Sequence, residues 1–389
     1  MSKKPMIPVL AVCLTLFPGT LVTGMAQTRV DNPGRALAKN AGRIVKLEEI
    51  RRIRDDGKTS VFRGPRNLSL GPDESLYFMD HGDGPRIYRY SPEGKLISKF
   101  LKAGQGPGEV QDPSGYIVTG DRIRVLAWMP PKIMDLSLDG RYLRESRIEE
   151  DAHGLWFLGM AEGKIFGIRD EMFSSSAFRS SSGFMTMTIP NSVYEISPDF
   201  RTWKKLFEFP VRMMIKRGIG FRLDPIDAAI GGSRLYVVHT AEYGVTEIDL
   251  RGSGIKRIIT RKYARVRGGE EKAADPDPET RGIEFPDEPY VWDIVRIHAA
   301  AGRLWVFTSV TSPDDQPVDL FDEVGRFVDR VILRYPPGGR NHSARWTLLT
   351  DDGFFIIPEQ GEDGLISIAS YRIRDAGLFP ALAVPKRMP

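Results

Sequence analysis

The chain has 389 residues, of which 41% are hydrophobic and 27% charged, and its formal net charge is +4. This is the profile of an ordinary globular protein, and so small a net charge gives no ground for a nucleic-acid partner. A single cysteine, Cys13, excludes an intramolecular disulfide framework.

The first segment reads as a leader. Lys3 and Lys4 precede an apolar run from Met6 to Val22, broken by Pro8, Pro18 and Gly19. Gly24-Met25-Ala26 then supplies small residues at the −3 and −1 positions of a cleavage site. Basic end, short apolar run and small-residue site together predict a signal peptide over residues 1–26 and export to the periplasm or medium. The run is too short and too broken for a comfortable membrane span, so no transmembrane segment is expected in the mature protein. Val12 stands where a lipid-anchored Cys13 would want a small residue. Cleavage removes Cys13, and with it any thiol nucleophile or Cys-ligated metal. Residues 27–42 read as a linker.

From residue 43 onward a short β pattern recurs instead of any long helical period. A Gly, Asp or Glu turn leads into an apolar alternating strand, then a second strand, then another turn. The first strands include Ser75-Leu76-Tyr77-Phe78, Arg122-Ile123-Arg124-Val125, Lys164-Ile165-Phe166-Gly167, Arg234-Leu235-Tyr236-Val237, Arg303-Leu304-Trp305-Val306 and Gly353-Phe354-Phe355-Ile356. The second strands run into turns such as Ser91-Pro92-Glu93-Gly94 and Ser137-Leu138-Asp139-Gly140, which carry the Pro, Asp and Gly that tight hairpins need.

The unit occurs six times, at intervals of roughly 40 to 70 residues, which is the period of propeller blades. One such sheet cannot bury both of its faces, so neighbours must stack, and closing the ring removes exposed edges. A pair of β-sandwiches would need no fixed repeat phase. The expected fold is therefore all-β: a six-bladed β-propeller of four-stranded antiparallel blades over residues 43–375, with a C-terminal tail at 376–389. A serine-rich hairpin extension is expected at 173–183 and a polar, Pro-broken surface loop at 268–279. Gly42 to Arg54 is expected as the outer strand of the last blade, although Ile44, Leu47, Ile50 and Ile53 are spaced by three, as in a helix.

Three stretches carry a resemblance: Leu76-Tyr77-Phe78-Met79-Asp80, then Arg86-Ile87-Tyr88-Arg89-Tyr90-Ser91-Pro92-Glu93-Gly94-Lys95, and Gly104-Gln105-Gly106-Pro107-Gly108-Glu109. The chain resembles the bacterial exported six-bladed β-propeller family related to the NHL-repeat propellers, which carries a GxGPGE segment after an early blade. The resemblance extends over about residues 43–375 and is sharp only within 60–140. It implies the fold and no particular activity.

The glycine segment looks at first like a phosphate cradle. Gly104, Gly106 and Gly108 are spaced G-x-G-x-G, however, which is neither the G-x-G-x-x-G fingerprint nor a P-loop. The segment leads to Asp112-Pro113 rather than to a helix N-terminus. Gly104, Gly106, Pro107, Gly108 and Glu109 therefore read as the structural crossover between the first two blades, with Glu109 accepting hydrogen bonds from its own loop or the next blade.

Crossovers span about 14 Å, three strand spacings, over one face of the disk, and with the entries of the inner strands they ring the tunnel mouth. A ligand is expected there. The polar residues at those entries are Arg66, Asn67, Asp112, His153, Asp227, Asp293, His342 and Arg345. The expected function is an exported binding or scaffold protein that recognises a small ligand, glycan or peptide at this face, with no cofactor. The alternative is a metal-dependent hydrolase or lyase, lactonase-like or amidating-lyase-like, with Ca or Zn held by donors from several blades. His81, His153, His239, His298 and His342 include no HxH or HExxH pair. Of these, His153 and His342 are the candidates, and His81 and His298 are expected to be exposed. Asp275, Asp277 and Glu279 lack a calcium loop's glycine and spacing, and no G-x-S-x-G elbow is present.

Overall fold

The computed structural model describes residues 28–55, 62–82, 84–128, 131–148, 152, 154–171, 185–216, 219–252, 254–268, 288–309, 314–336, 346–361, 364–375 and 377–379. Every regular element in them is a β-strand. The serine-rich stretch at 173–183 and most of the acidic loop lie outside these residues.

The strands form six radial sheets, taken here in chain order from the innermost strand outward. Blade I comprises Arg66–Leu70, Leu76–Asp80, Arg86–Tyr90 and Leu96–Phe100. Blade II comprises Pro113–Val118, Arg122–Trp128, Pro131–Ser137 and Tyr142–Arg147. Blade III comprises Leu155–Ala161, Lys164–Asp170 and the long hairpin Met185–Ile196 and Trp203–Lys216, with Ile219–Arg222 added at its edge. Blade IV comprises Asp227–Gly231, Arg234–Val238, Val245–Asp249 and Gly254–Arg261. Blade V comprises Ile294–Ala300, Arg303–Thr308, Asp315–Phe321 and Phe327–Arg334. Blade VI comprises Leu348–Leu349, Phe354–Gln360, Ile366–Ile373 and, from the other end of the chain, Arg43–Arg54.

Packing explains why these sheets stack. Among the described residues, buried apolar side chains fall into six clusters, one at each interface between blades. Tyr77, Met79 and Ile87 of blade I meet Tyr116, Ile123 and Val125 of blade II, for example. Ile356 and Ile368 of blade VI meet Phe78, Tyr88 and Tyr90 of blade I, and Ile53 from the N-terminal strand completes that cluster. Each blade thus buries both faces against its neighbours, as the repeat requires.

Closure is more elaborate than a single outer strand. Arg43–Lys46 run parallel to Val331–Arg334 of blade V, and Leu47–Arg54 then run antiparallel to Ser367–Ile373 of blade VI. One strand therefore stitches two blades. The spacing by three has a local cause: the register shifts between Glu49 and Arg51, leaving Ile50 as the unpaired residue of a bulge. Ile44 and Ile50 are exposed, whereas Val45, Leu47 and Ile53 are buried. Residues 28–32, read from sequence as linker, instead form a fifth strand parallel to Arg257–Arg261 on the outer edge of blade IV. At the other end Leu378 is buried, and Phe379 stacks on Trp305 at 5.2 Å, so the start of the tail docks on blade V.

Candidate functional site

The innermost strands of successive blades abut around a central axis. Every residue of Arg66–Leu70 and of Asp227–Gly231 is half-buried, because one side of these strands looks into the tunnel. Near the start of the inner strand, the register shifts in blades I, II, III and V, between Arg66 and Ser69, Pro113 and Gly115, Phe157 and Gly159, and Ile294 and Arg296. A bulge there bends the strand and re-aims its first side chains, and the ring repeats the device around the tunnel mouth.

The blade I entry is built on a buried carboxylate. Asp80 accepts from the backbone N–H groups of Arg63 at 3.0 Å and Gly64 at 2.9 Å with one oxygen, and from Gly82 at 2.7 Å with the other. It thereby clamps the approach to Arg66 and the turn that carries His81. Arg66 Nη2 then donates to His81 Nε2. Burial and the Arg66 charge hold His81 below its ordinary pKa, while Asp112 and Asp80 pull the other way. A neutral ring with an accepting Nε2 is what a guanidinium partner requires. Asn67 has a positive φ of 55°, a conformation asparagine tolerates, and its carbonyl accepts from Tyr116 Oη of blade II at 2.6 Å. Arg66, Asn67 and His81 thus form one polar arc on blade I, joined to blade II through Tyr116, with Asp112 at the blade II entry near enough for its charge to act on His81. His81 belongs to it, against the expectation of an exposed hairpin histidine, because Asp80 folds its turn back over the inner strand.

The carboxylates of blades IV and V are committed elsewhere. Asp227 accepts from Arg296 Nη1 at 2.7 Å and from the Ile297 N–H at 2.6 Å, tying blade IV to blade V. Asp293 is buried; it accepts from the Tyr243 N–H and from Arg265 Nε, each at 3.0 Å. Burial raises its pKa even though Arg265 opposes the shift. These two residues act as inter-blade latches. His298, expected at the surface, is buried beside Phe307 and Phe355 and shares a hydrogen bond of 2.8 Å with Thr347 Oγ1. Its position on an inner strand, not the nearby turn, decides its environment. His153, His342 and Arg345 lie outside the described residues.

The glycine loop is not at the mouth. Glu109 folds back on it, taking the Gly106 N–H at 3.2 Å and Lys102 Nζ at 2.6 Å. The hydrogen bond from Lys102 and the Gly106 N–H hold the Glu109 carboxyl below its usual range. Gly104 has φ 150°, and a methyl group there would lie 2.0 Å from Glu109 Oε2. Lys132 Nζ donates to the Gly106 carbonyl at 3.2 Å and to Glu145 at 3.0 Å, so the loop is pinned to the outer half of blade II.

The family described as 6-bladed beta-propeller matches residues 70–166, which span most of blades I and II and the entry to blade III. The chain is a six-bladed β-propeller. The structure is similar to that of a Bacteroides fragilis NCTC 9343 protein that carries the name exported protein, at 11% identity and a TM-score of 0.50, over 90% of this chain and 100% of that one. It is also similar to a streptogramin B lyase, at 12% identity and a TM-score of 0.45, over 84% of this chain and 97% of that one. A luciferin-regenerating enzyme matches at 11% identity and a TM-score of 0.44, over 84% and 94% of the two chains. At 11% identity the likeness to the Bacteroides fragilis protein speaks for the fold alone. No curated protein sequence matches the chain.

Several mouth residues of the propeller carry no sequence motif. Trp156, second in the inner strand of blade III, lies under the Arg222 guanidinium, 3.8 Å from its ring centroid, and Arg222 donates to Asp170 at 3.0 Å. Trp292, in the crossover into blade V, donates from Nε1 to the Leu223 carbonyl at 2.9 Å. The signal that could have found Trp156 is its place one residue into an inner strand, where Arg66 opens blade I. Among the described residues no group of three His, Cys, Asp or Glu side chains is arranged to hold a metal. No helix in them is long and apolar enough to cross a membrane.

Proposed function

We propose that the protein is an exported propeller that binds a small ligand, glycan or peptide at its tunnel-mouth face, on the side of blades I to III. The observation that carries this reading is the division of labour among the mouth residues. Asp227 and Asp293 are spent on joining blades, while Arg66, His81 and Asp112 gather at the rim of half-buried inner strands. Convergent polar groups on a concave, pre-formed surface are the ordinary make-up of a recognition site. A guanidinium, a neutral imidazole and a carboxylate supply donors and acceptors without a nucleophile poised by a base, which favours binding over turnover.

The test is to probe glycan and peptide arrays with the purified protein and with the double variant Arg66→Ala/Asp112→Asn. Specific array features should bind the parent and weaken by about tenfold or more in the variant, as expected when central polar anchors are removed. Binding that the double variant leaves unchanged, or no binding on either array, would sink the reading.

A further inference from the structure

We propose that the same face carries a carbohydrate-binding strip over the entries of blades III to V, centred on Trp292 and selective for neutral oligosaccharides. The proposal rests on the tunnel-mouth reading, extends it round the same face beyond blades I to III, and gives it a ligand class. Trp292 is 40% exposed and its neighbour Val291 is 39% exposed. The indole is nonetheless fixed, because its one polar atom is tethered to the Leu223 carbonyl. What it offers outward is hydrocarbon and π surface, held still by a contact between two crossovers. The C–H-lined face of a pyranose matches such a surface.

The residues flanking Leu223 in sequence hold polar groups. Arg222 stacks on Trp156 and pairs with Asp170. Asp224 is gripped by Arg212 at 2.7 and 3.0 Å, and Arg212 also reaches Glu288 at 2.8 Å. Asp170 and Asp224 are buried and spent on their arginines, whereas Arg212 and Glu288 are exposed, and that pair presents adjacent donors and acceptors, which suit the vicinal hydroxyls of a sugar. The exposed pair, Arg212 with Glu288, is neutral, and Arg265 over the Tyr290 ring is held by Asp293 and Glu242, so these residues offer no surplus cation to an acidic sugar. A separate observation comes from beneath Asp170. Its cross-strand neighbour Asn191 is fully buried, and neither atom of its amide has a hydrogen-bond partner among the described residues. Buried unpaired amides are rare in native folds and call for a reason beyond stability.

Isothermal titration of the purified protein with cellohexaose, maltohexaose and chitohexaose, with polygalacturonate as the acidic control, tests the strip. At least one neutral hexasaccharide should bind and shift the tryptophan emission, and polygalacturonate should not bind. Trp292→Ala should weaken binding by about tenfold or more, and Trp292→Phe, which keeps an aromatic face, should stay within about threefold. The phenylalanine variant also serves if the alanine variant does not fold. No binding by any neutral hexasaccharide, or binding indifferent to Trp292→Ala in a folded protein, overturns the strip. Binding that survives Trp292→Ala but is lost in Arg66→Ala/Asp112→Asn would overturn the strip and leave the tunnel-mouth reading standing.

Discussion

At Gly140 the fold leaves no room for a methyl group. Its φ is 87°, and a Cβ would lie 2.5 Å from the Phe100 ring at the seam between blades I and II. Gly140→Ala should therefore cost about 1–3 kcal/mol, from left-handed backbone strain and overpacking together. Urea unfolding checks this; a midpoint within error of the parent's would refute it. The Asp139-Gly140 turn was legible in the sequence, because turn chemistry is local. Its packing against Phe100 was not, because that contact depends on how two blades stack. His298 makes the same point with a titratable group. Burial, with Arg296 nearby, holds its pKa well below the ordinary value, whereas in the unfolded chain it returns to about 6.5. Below pH of about 6.5 the unfolded state takes up a proton that the native state refuses, so stability falls as pH falls, by at most about 1.4 kcal/mol per pH unit. Above that pH the contribution is complete. His81 and His239 are shifted in the same direction, so the measure is the difference between the parent and His298→Gln in unfolding free energy at several pH values between 7.5 and 5. The variant should lose part of the acid-side slope, and parallel curves would refute the assignment.

The N-terminal segment is the element whose role was least visible in sequence. Asn32 donates to the carbonyls of Thr260 at 3.0 Å and Gly325 at 2.9 Å and accepts from the Phe327 N–H at 2.8 Å. Arg43 then pairs with Asp329 at 2.8 Å and Asp375 at 2.9 Å. The segment thus fastens blades IV, V and VI in turn, while among the described residues the outer edges of blades I and II carry no added strand. Two truncations separate the parts. A chain beginning at Gly42 should fold with a lowered melting temperature, since it loses the added edge strand, the Asn32 contacts and the hydrogen bonds of Leu37 and Ala38 to blade V but keeps the strand that closes the ring. A chain beginning at Asp55 should not give a cooperative melt, since it loses Val45, Leu47 and Ile53 from two interface clusters and leaves blade VI without its outer strand. Equal melts for the two chains would refute this account of closure. Alternation within a strand is readable from sequence. A strand that changes partner midway, with a bulge at Ile50, scrambles that alternation into an apparent period of three.

For the whole molecule, the repeat was the legible part: six turn-strand-strand units predicted six stacked sheets, because no single unit can bury its own faces. The site was only half legible. Inner-strand entries could be located from the blade phase, which places Arg66, Asn67 and Asp112 at the starts of the first two blades. Whether an entry residue becomes a latch, as Asp227 and Asp293 do, depends on Arg296 and Arg265 reaching from elsewhere in the ring. The binding reading calls for no metal, so under it dialysis against EDTA should leave the melting temperature unchanged within about 1 °C. A fall of several degrees, reversed by Ca or Zn, would bring the metal-dependent alternative back.

The stitching strand also orders events in time. Glu48 and Arg374 form an ion pair across 326 residues of sequence. The residues synthesised early are therefore the last to find their partners, because blade VI does not exist until the far end of the chain has emerged. Loop closure over that distance is entropically costly and slow, so the early strand waits unpaired while the other blades assemble. During that wait the open edges of blades V and VI are the ones exposed to wrong partners, including the same edges on another nascent chain.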